Sequence, residues 1–192
     1  MPVAWISLDK VDDDPQTFLQ VLVMALDTAV PNGCPAAADL ISSGLAATVD
    51  PIRMVGVLIN DLLDGGPTPT VLVLDDLQVL KAAGVVAPLD YLVARLPDNA
   101  RLLATSRVDP PLSLARLRAR GRLAEIGSED LRLSPDQADV LLNQHLGLAL
   151  ARKDVERVVT AAGGWVTGVR LLARTAGHGA GDVLARFAPR RD

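Results

Sequence analysis

The chain has 192 residues, 49% of them hydrophobic and only 3% aromatic, so one or two small domains can form around aliphatic cores of Val, Leu, Ile and Ala. A formal net charge of −4 argues against a broad nucleic-acid-binding face, which needs clustered Lys and Arg. Cys34 is the only cysteine, which excludes an intramolecular disulfide and a cysteine-rich metal site and fits a reducing cytosol.

The N-terminal stretch has neither a basic n-region nor a long apolar run, so neither a signal peptide nor a membrane span is expected. Residues 3–8 are a short apolar run, a strand that ends in Asp9. The acidic stretch Asp12-Asp13-Asp14-Pro15 follows as a solvated loop, in which Asp14 caps a helix and Pro15 suits its first turn. Phe18, Leu22, Ala25, Leu26 and Ala29 recur at helical spacing, and residues 31–35 form a turn-rich break. Asp50-Pro51 repeats the start signal. Ile52, Val55, Ile59, Leu62 and Leu63 then line one helix face, which Asp64-Gly65-Gly66-Pro67 stops.

Thr70-Val71-Leu72-Val73-Leu74-Asp75-Asp76 is the clearest strand. It is continuously apolar without alternation, so both of its faces are expected to be buried, as in a parallel sheet. Pro88 is expected to open a helix with Leu89, Leu92, Val93 and Leu96 on one face, closed by Pro97. Residues 101–107 read as a further strand, 112–120 as a short helix and 123–126 as a short strand.

Beyond this point the pattern is helical. Ser134-Pro135-Asp136-Gln137 is a capping box, with Ala138, Leu141, Leu142 and His145 on the face that follows. Val155, Val158, Val159 and Ala162 mark another helix, Gly163-Gly164 breaks it, and Trp165, Val169, Leu172, Ala173 and Ala176 mark a last one. Strands that alternate with helices indicate an α/β fold with a parallel sheet, and the change of pattern near Ser128 divides it from a helical subdomain. The expected division is residues 1–127 and 128–192.

The residues that can carry chemistry are few. Asp75-Asp76 ends a buried strand, at the carboxyl edge where α/β proteins bind ligands. In phosphoryl-transfer proteins an acid in this place holds Mg²⁺ and a second one can orient the attacking water; the plainer reading is a strand that ends in polar turn residues. Arg107 ends the neighbouring strand, where a guanidinium could grip a terminal phosphate or simply lie in solvent. His145 and His178 have no ligand partner at metal-site spacing, and Ser106 has no nearby His to activate it. Arg116, Arg118, Arg120 and Arg122 read as a solvated helix face.

Taken in order, these segments resemble a known family. The stretch from Val3-Ala4-Trp5-Ile6-Ser7-Leu8-Asp9 through Asp14-Pro15 and Phe18-Leu19 is similar to the strand and helix after the first helix in STAND-class ATPases of the maltose-regulator kind, found in large LuxR-type transcriptional regulators. Val71-Leu72-Val73-Leu74-Asp75-Asp76 resembles their Walker B strand. Leu96-Pro97-Asp98-Asn99 and Leu102-Leu103-Ala104-Thr105-Ser106-Arg107-Val108-Asp109-Pro110-Pro111-Leu112 resemble their sensor strand and its loop, and Leu114-Ala115-Arg116-Leu117-Arg118-Ala119-Arg120-Gly121 continues the likeness. Gly164-Trp165-Val166-Thr167-Gly168 is similar to a Gly-Trp-Pro-x-Gly motif in the family's helical lid, with Val166 in place of proline. The likeness implies ATP and Mg²⁺ as cofactors, Asp75 as the Mg²⁺-associated acid, Asp76 as its water-orienting neighbour, Arg107 as the sensor of the terminal phosphate, and Trp165 to Gly168 near the adenine.

One departure weighs more than the matches. The family's GxxxxGK[ST] loop, which supplies an amide cradle, a phosphate-binding Lys and a Mg²⁺-binding hydroxyl, occurs nowhere in these residues. The resemblance therefore implies a P-loop-NTPase-like core without its first strand and P-loop. It would be a fragment of a cytoplasmic nucleotide-dependent switch, truncated at both ends, that needs the remainder of a larger regulator. It would bind nucleotide weakly or not at all, be inactive as an ATPase alone and make no direct contact with DNA or membrane. Leu184-Ala185-Arg186-Phe187 resembles the lead into the family's winged-helix region. The rival expectation is a non-enzymatic interaction module that keeps the fold and has lost nucleotide. A helix-turn-helix within residues 134–176 is the weakest reading, because its helices carry too little positive charge.

Overall fold

A computed structural model describes residues 1–65 and 69–176. Two compact units divide the chain, Met1–Leu123 and Ala124–Asp192. The first is α/β. Its three strands, β1 (Val3–Ser7), β2 (Thr70–Asp75) and β3 (Ala100–Ala104), form a parallel sheet in the order β1-β2-β3. Register runs Val3 to Val71 to Arg101, and Trp5 to Val73 to Leu103.

Sheet order fixes where the helices go. Parallel neighbours need crossovers, and these are right-handed in nearly all proteins. Two right-handed crossovers that step in the same direction place all of their helices on the same face. Helices α1 (Pro15–Ala29), α2 (Pro35–Ser42) and α3 (Pro51–Asp64) lie in the first crossover and α4 (Ala83–Arg95) in the second. Their apolar stripes join Ala4, Ile6, Leu72 and Leu74 in one core, filled by Phe18, Leu22, Met54, Leu58, Leu89 and Leu92. Each such side chain contributes about 1.5–3 kcal/mol when fully buried. The other face is open along its edge strands: Val3, Trp5 and Leu103 are 51%, 59% and 52% exposed, while Val73 between them is 4% exposed.

The helix starts follow the sequence signals. Asp14 accepts from the N–H groups of Gln16 and Thr17, which holds its carboxyl below the usual Asp range, mainly through the Thr17 backbone bond. Asp50 caps α3 in the same way, through Ile52 and Arg53. Helix α2 carries no side-chain cap of its own at Cys34. Asp61 of α3 supplies one from outside, accepting from Ala37 N–H at 2.8 Å and from Ala36 N–H at 3.4 Å, and it is buried in doing so.

Three expectations are corrected. Pro88 lies inside α4 instead of opening it, because the apolar stripe extends back to buried Val85, one turn before Leu89. β3 stops at Ala104, and Thr105 to Arg107 belong to the loop beyond it. Residues 123–126 form no strand, and Ile126 is 75% exposed. A strand needs a neighbour for its N–H and C=O groups, and β3 pairs only with β2 among the described residues.

In the second unit, α6 (Pro135–Asp139) starts at a capping box formed by Ser134 and Gln137. It runs into a π-helical turn, Val140–His145, followed by α7 (Arg152–Ala161) and α8 (Val166–Ala176). Ala138, Leu142, Val155, Val158, Val169 and Ala173 make its core. The short α5 (Leu114–Ala119) belongs to the first unit. No described helix is long and apolar enough to cross a membrane. His178 and residues 184–187, singled out from the sequence, lie outside the described residues.

Candidate functional site

The carboxyl ends of the three strands share one edge of the sheet, and the loops that leave them are tied together there. β2 ends at Asp75, whose side chain falls in the row of the open face with Val71 and Val73. Asp76 then turns the chain into the left-handed region, at φ 60° and ψ 42°. Asp tolerates this conformation better than most side chains because its short polar group bonds locally. The backbone leaves the sheet at that point and forms the tight turn Leu77–Val79.

Thr105, the first residue after β3, fixes this departure. Its hydroxyl donates to the Asp75 carboxylate and accepts the Asp76 N–H at 3.0 Å. Its backbone N–H reaches Leu74 O at 3.0 Å, and its carbonyl accepts the Leu77 N–H at 2.9 Å. Arg107 follows two residues later, its Nη2 3.5 Å from Asp76 Oδ1. Gln78 completes the arrangement: its amide donates to the same Asp76 oxygen at 2.7 Å, and its Oε1 accepts the Arg107 backbone N–H at 3.1 Å. The structure thus brings Asp75, Asp76 and Arg107 to one edge.

The acidic loop after β1 joins from the other side. Asp13 Oδ1 accepts the N–H groups of Lys81 at 2.7 Å and Ala82 at 2.8 Å, which bridges the loops after β1 and β2. Asp12 is buried, 6% exposed, and accepts the Asp9 N–H at 2.8 Å. The expectation of a solvated loop holds for the capping Asp14 but not for Asp12.

This edge offers two carboxylates and one guanidinium. The Asp76–Arg107 pair is a surface pair, with side chains 44% and 81% exposed. Such pairs add less than about 1 kcal/mol to stability, so its presence has little structural consequence. The fit to a nucleotide triphosphate with Mg²⁺ is poor on the donor side. The N–H groups of Asp76, Leu77, Thr105 and Arg107 all serve internal acceptors, leaving no row of backbone donors of the kind that cradles phosphates. Among the described residues, no group of three or more His, Cys, Asp or Glu is arranged to hold a metal ion.

Trp165 and Gly168 belong to the second unit. Gly163 and Gly164 have positive φ, and a Cβ at Gly164 would meet Arg132 Cβ at 2.9 Å. Arg132 holds this turn by donating to Gly163 O at 2.8 Å and by lying over the Trp165 ring, 5.9 Å from its centroid. Trp165 is 45% exposed. A Cβ at Gly168 would come within 3.2 Å of Ala162 Cβ, so Gly168 has a packing role where α8 meets the end of α7.

Sequence reasoning singled out the two acids and the arginine but assigned nothing to Thr105 or Gln78. Thr105 directly follows an apolar strand, and a hydroxyl at that position is the available signal. Gln78 carries none, since a polar residue two places after a strand-end acid is ordinary.

Comparison with known proteins gives a consistent set of relatives. The chain is 27% identical over 171 residues to the HTH-type transcriptional regulator MalT of Yersinia enterocolitica, an alignment that covers 89% of this chain and 19% of the relative. It is 28% identical over 174 residues to MalT of Klebsiella pneumoniae, with 91% and 19% covered. It is 27% identical over 176 residues to MalT of Vibrio cholerae, with 92% and 19% covered. No family model matches the chain. The chain is thus homologous, over most of its length, to MalT-type HTH transcriptional regulators, and it spans about a fifth of the length of these curated relatives.

Proposed function

We propose that this chain supplies the acid and arginine half of a nucleotide site in a STAND-type signalling switch of a larger transcriptional regulator. The observation that carries this reading is the meeting of Asp75, Asp76 and Arg107 at the carboxyl edge of a parallel sheet. That edge is where α/β proteins bind ligands. Homology to MalT-type regulators supports the wider role. Asp75 would be the acid toward Mg²⁺, Asp76 its neighbour and Arg107 the group toward a terminal phosphate. Bound Mg²⁺ would offset the phosphate charge that two carboxylates otherwise repel. No phosphoryl-transfer step is assigned to these residues, because the amide cradle is not among them.

Affinity follows from that inventory. One charge-assisted contact from Arg107 is worth about 1.5–3 kcal/mol, whereas a millimolar dissociation constant needs about 4 kcal/mol and a micromolar one about 8 kcal/mol. This chain alone therefore binds Mg-ATP no tighter than roughly millimolar and does not hydrolyse it measurably. Isothermal titration with Mg-ATP, on the chain and on Asp75→Ala and Arg107→Ala, tests this. A micromolar constant abolished by either substitution would overturn the claimed weakness while supporting the site.

A second reading, a non-enzymatic interaction module, draws on the open apolar sheet face at Val3, Trp5 and Leu103. It gains if Mg-ATP at tens of millimolar, well above the roughly millimolar range, leaves the Asp75 to Gln78 loop unaffected.

A further inference from the structure

We propose that Gln78 is the positioning residue that holds Asp76 and Arg107 as one preset pair. What that pair is for rests on the nucleotide reading above; that Gln78 sets it does not. Three observations converge. The Gln78 side-chain amide donates to Asp76 Oδ1 at 2.7 Å, and the Arg107 guanidinium forms an ion pair with the same oxygen at 3.5 Å. Its other end fixes the backbone of Arg107, at 3.1 Å, across 29 residues of sequence. Arg107 is otherwise a highly exposed residue on a loop beyond the last strand.

The physical consequence lies in the division of labour within one amide. A glutamine donates from its nitrogen and accepts at its oxygen at the same time, which neither a carboxylate nor an ammonium can do. The acid needs the donor and the arginine backbone needs the acceptor, so Gln78 satisfies both with one partly buried side chain. Thr105 performs the analogous service for Asp75, donating from its hydroxyl while accepting the Asp76 N–H. The two carboxylates are thus held by separate side chains. Loss of Gln78 frees Arg107 and reorients Asp76 while Asp75 stays in place. A phosphate oxygen that engages Arg107 must draw the guanidinium from Asp76, and Gln78 keeps the Arg107 backbone stationary during that exchange.

Glutamate at position 78 separates the two roles. It retains an acceptor for the Arg107 N–H, loses the donor to Asp76 and sets a second carboxylate beside it. The test is amide hydrogen exchange together with the Arg107 side-chain Nε–Hε resonance, on the full chain without nucleotide. In Gln78→Ala, exchange at the Arg107 amide rises roughly fivefold, the equivalent of one hydrogen bond of about 1 kcal/mol. The Arg107 Nε–Hε resonance moves toward its value in a free peptide, while the Thr105 and Leu77 amides stay protected. In Gln78→Glu the Arg107 amide keeps its protection, but the side-chain resonance still moves. An Arg107 amide and side chain unchanged in both variants would overturn the proposal. So would an alanine variant whose Arg107 amide and side chain are as protected as wild type. If the alanine variant does not fold, the glutamate variant decides alone: an unmoved side-chain resonance refutes the role. No nucleotide is present, so a chain that passes this test but shows no response to Mg-ATP at that edge well above the roughly millimolar range refutes the nucleotide reading and leaves the positioning role intact.

Discussion

On one face of the sheet, Ala4, Ile6, Leu72 and Leu74 are at most 4% exposed; on the other, Val3, Trp5 and Leu103 are at least 51% exposed. Both rows are apolar, so composition does not distinguish them. Their fates differ because the strands follow one another in sequence order and right-handed crossovers send the crossover helices α1 to α4 to the same side. Even Val73, only 4% exposed at the centre of the open face, stands outside the main core. The contrast teaches that connection handedness, more than strand hydrophobicity, decides which face of a small parallel sheet is buried. It also places the Asp75 side chain on the open side, at the strand end where the candidate site is built.

The largest effects belong to the covered face. Leu22→Ala or Leu74→Ala should cost about 2–5 kcal/mol in urea unfolding, since both side chains are fully enclosed. Leu103→Ser on the open face should change stability by no more than about 0.5 kcal/mol, and it should lower the light scattering of the purified chain, because an exposed apolar face and an unpaired edge promote association. Equal costs on the two faces would break the comparison.

An intermediate effect is expected at the link between loops. Asp13→Ala leaves two backbone donors, on Lys81 and Ala82, without their acceptor. The cost should be about 0.5–1.5 kcal/mol per lost bond, with faster amide exchange at Lys81 and Ala82 and none at Leu58. Unchanged exchange at both amides would show that the β1 loop does not support the β2 loop.

Cys34 sharpens the same contrast by titration. Burial, reinforced by the charges of Asp27 and Asp61, pushes its thiol up to about 11. An acid whose folded pKa is raised stabilises the fold while protonated, and that contribution is lost as pH rises from the unfolded value of about 8.5 toward the folded one. Stability should therefore decline above about pH 8.5 in the wild type and less so in Cys34→Ala. A thiol reagent at neutral pH should modify the chain only on unfolding. Rapid modification of the native chain would mean that the covered face opens readily.

Much of this was legible in the sequence. The continuous apolar run at Val71 to Leu74 gave β2, and Asp-Pro pairs gave the starts of α1 and α3, because caps and buried strands depend on local chemistry. Asp75, Asp76 and Arg107 were legible for the same reason, as polar residues at the ends of apolar strands. What stayed hidden was tertiary. Asp61 caps a helix 24 residues away, Asp13 reaches Lys81, and Gln78 reaches Arg107; no spacing rule encodes such partners. Continuous hydrophobicity in β2 signals burial on both sides, and Leu72, Val73 and Leu74 are indeed at most 4% exposed; the exposed row lies on the edge strands, at Val3, Trp5 and Leu103, and depends on the whole path of the chain.

The central claim is that the acid and guanidinium edge is the phosphate-facing part of this chain. Titration of ¹⁵N-labelled chain with Mg-ATP, followed residue by residue, tests it most directly. The account predicts that the largest shifts fall at Asp75 to Gln78 and at Thr105 to Arg107, with a midpoint no tighter than about 1 mM. Shifts concentrated elsewhere, or none at that edge well above that concentration, would contradict it.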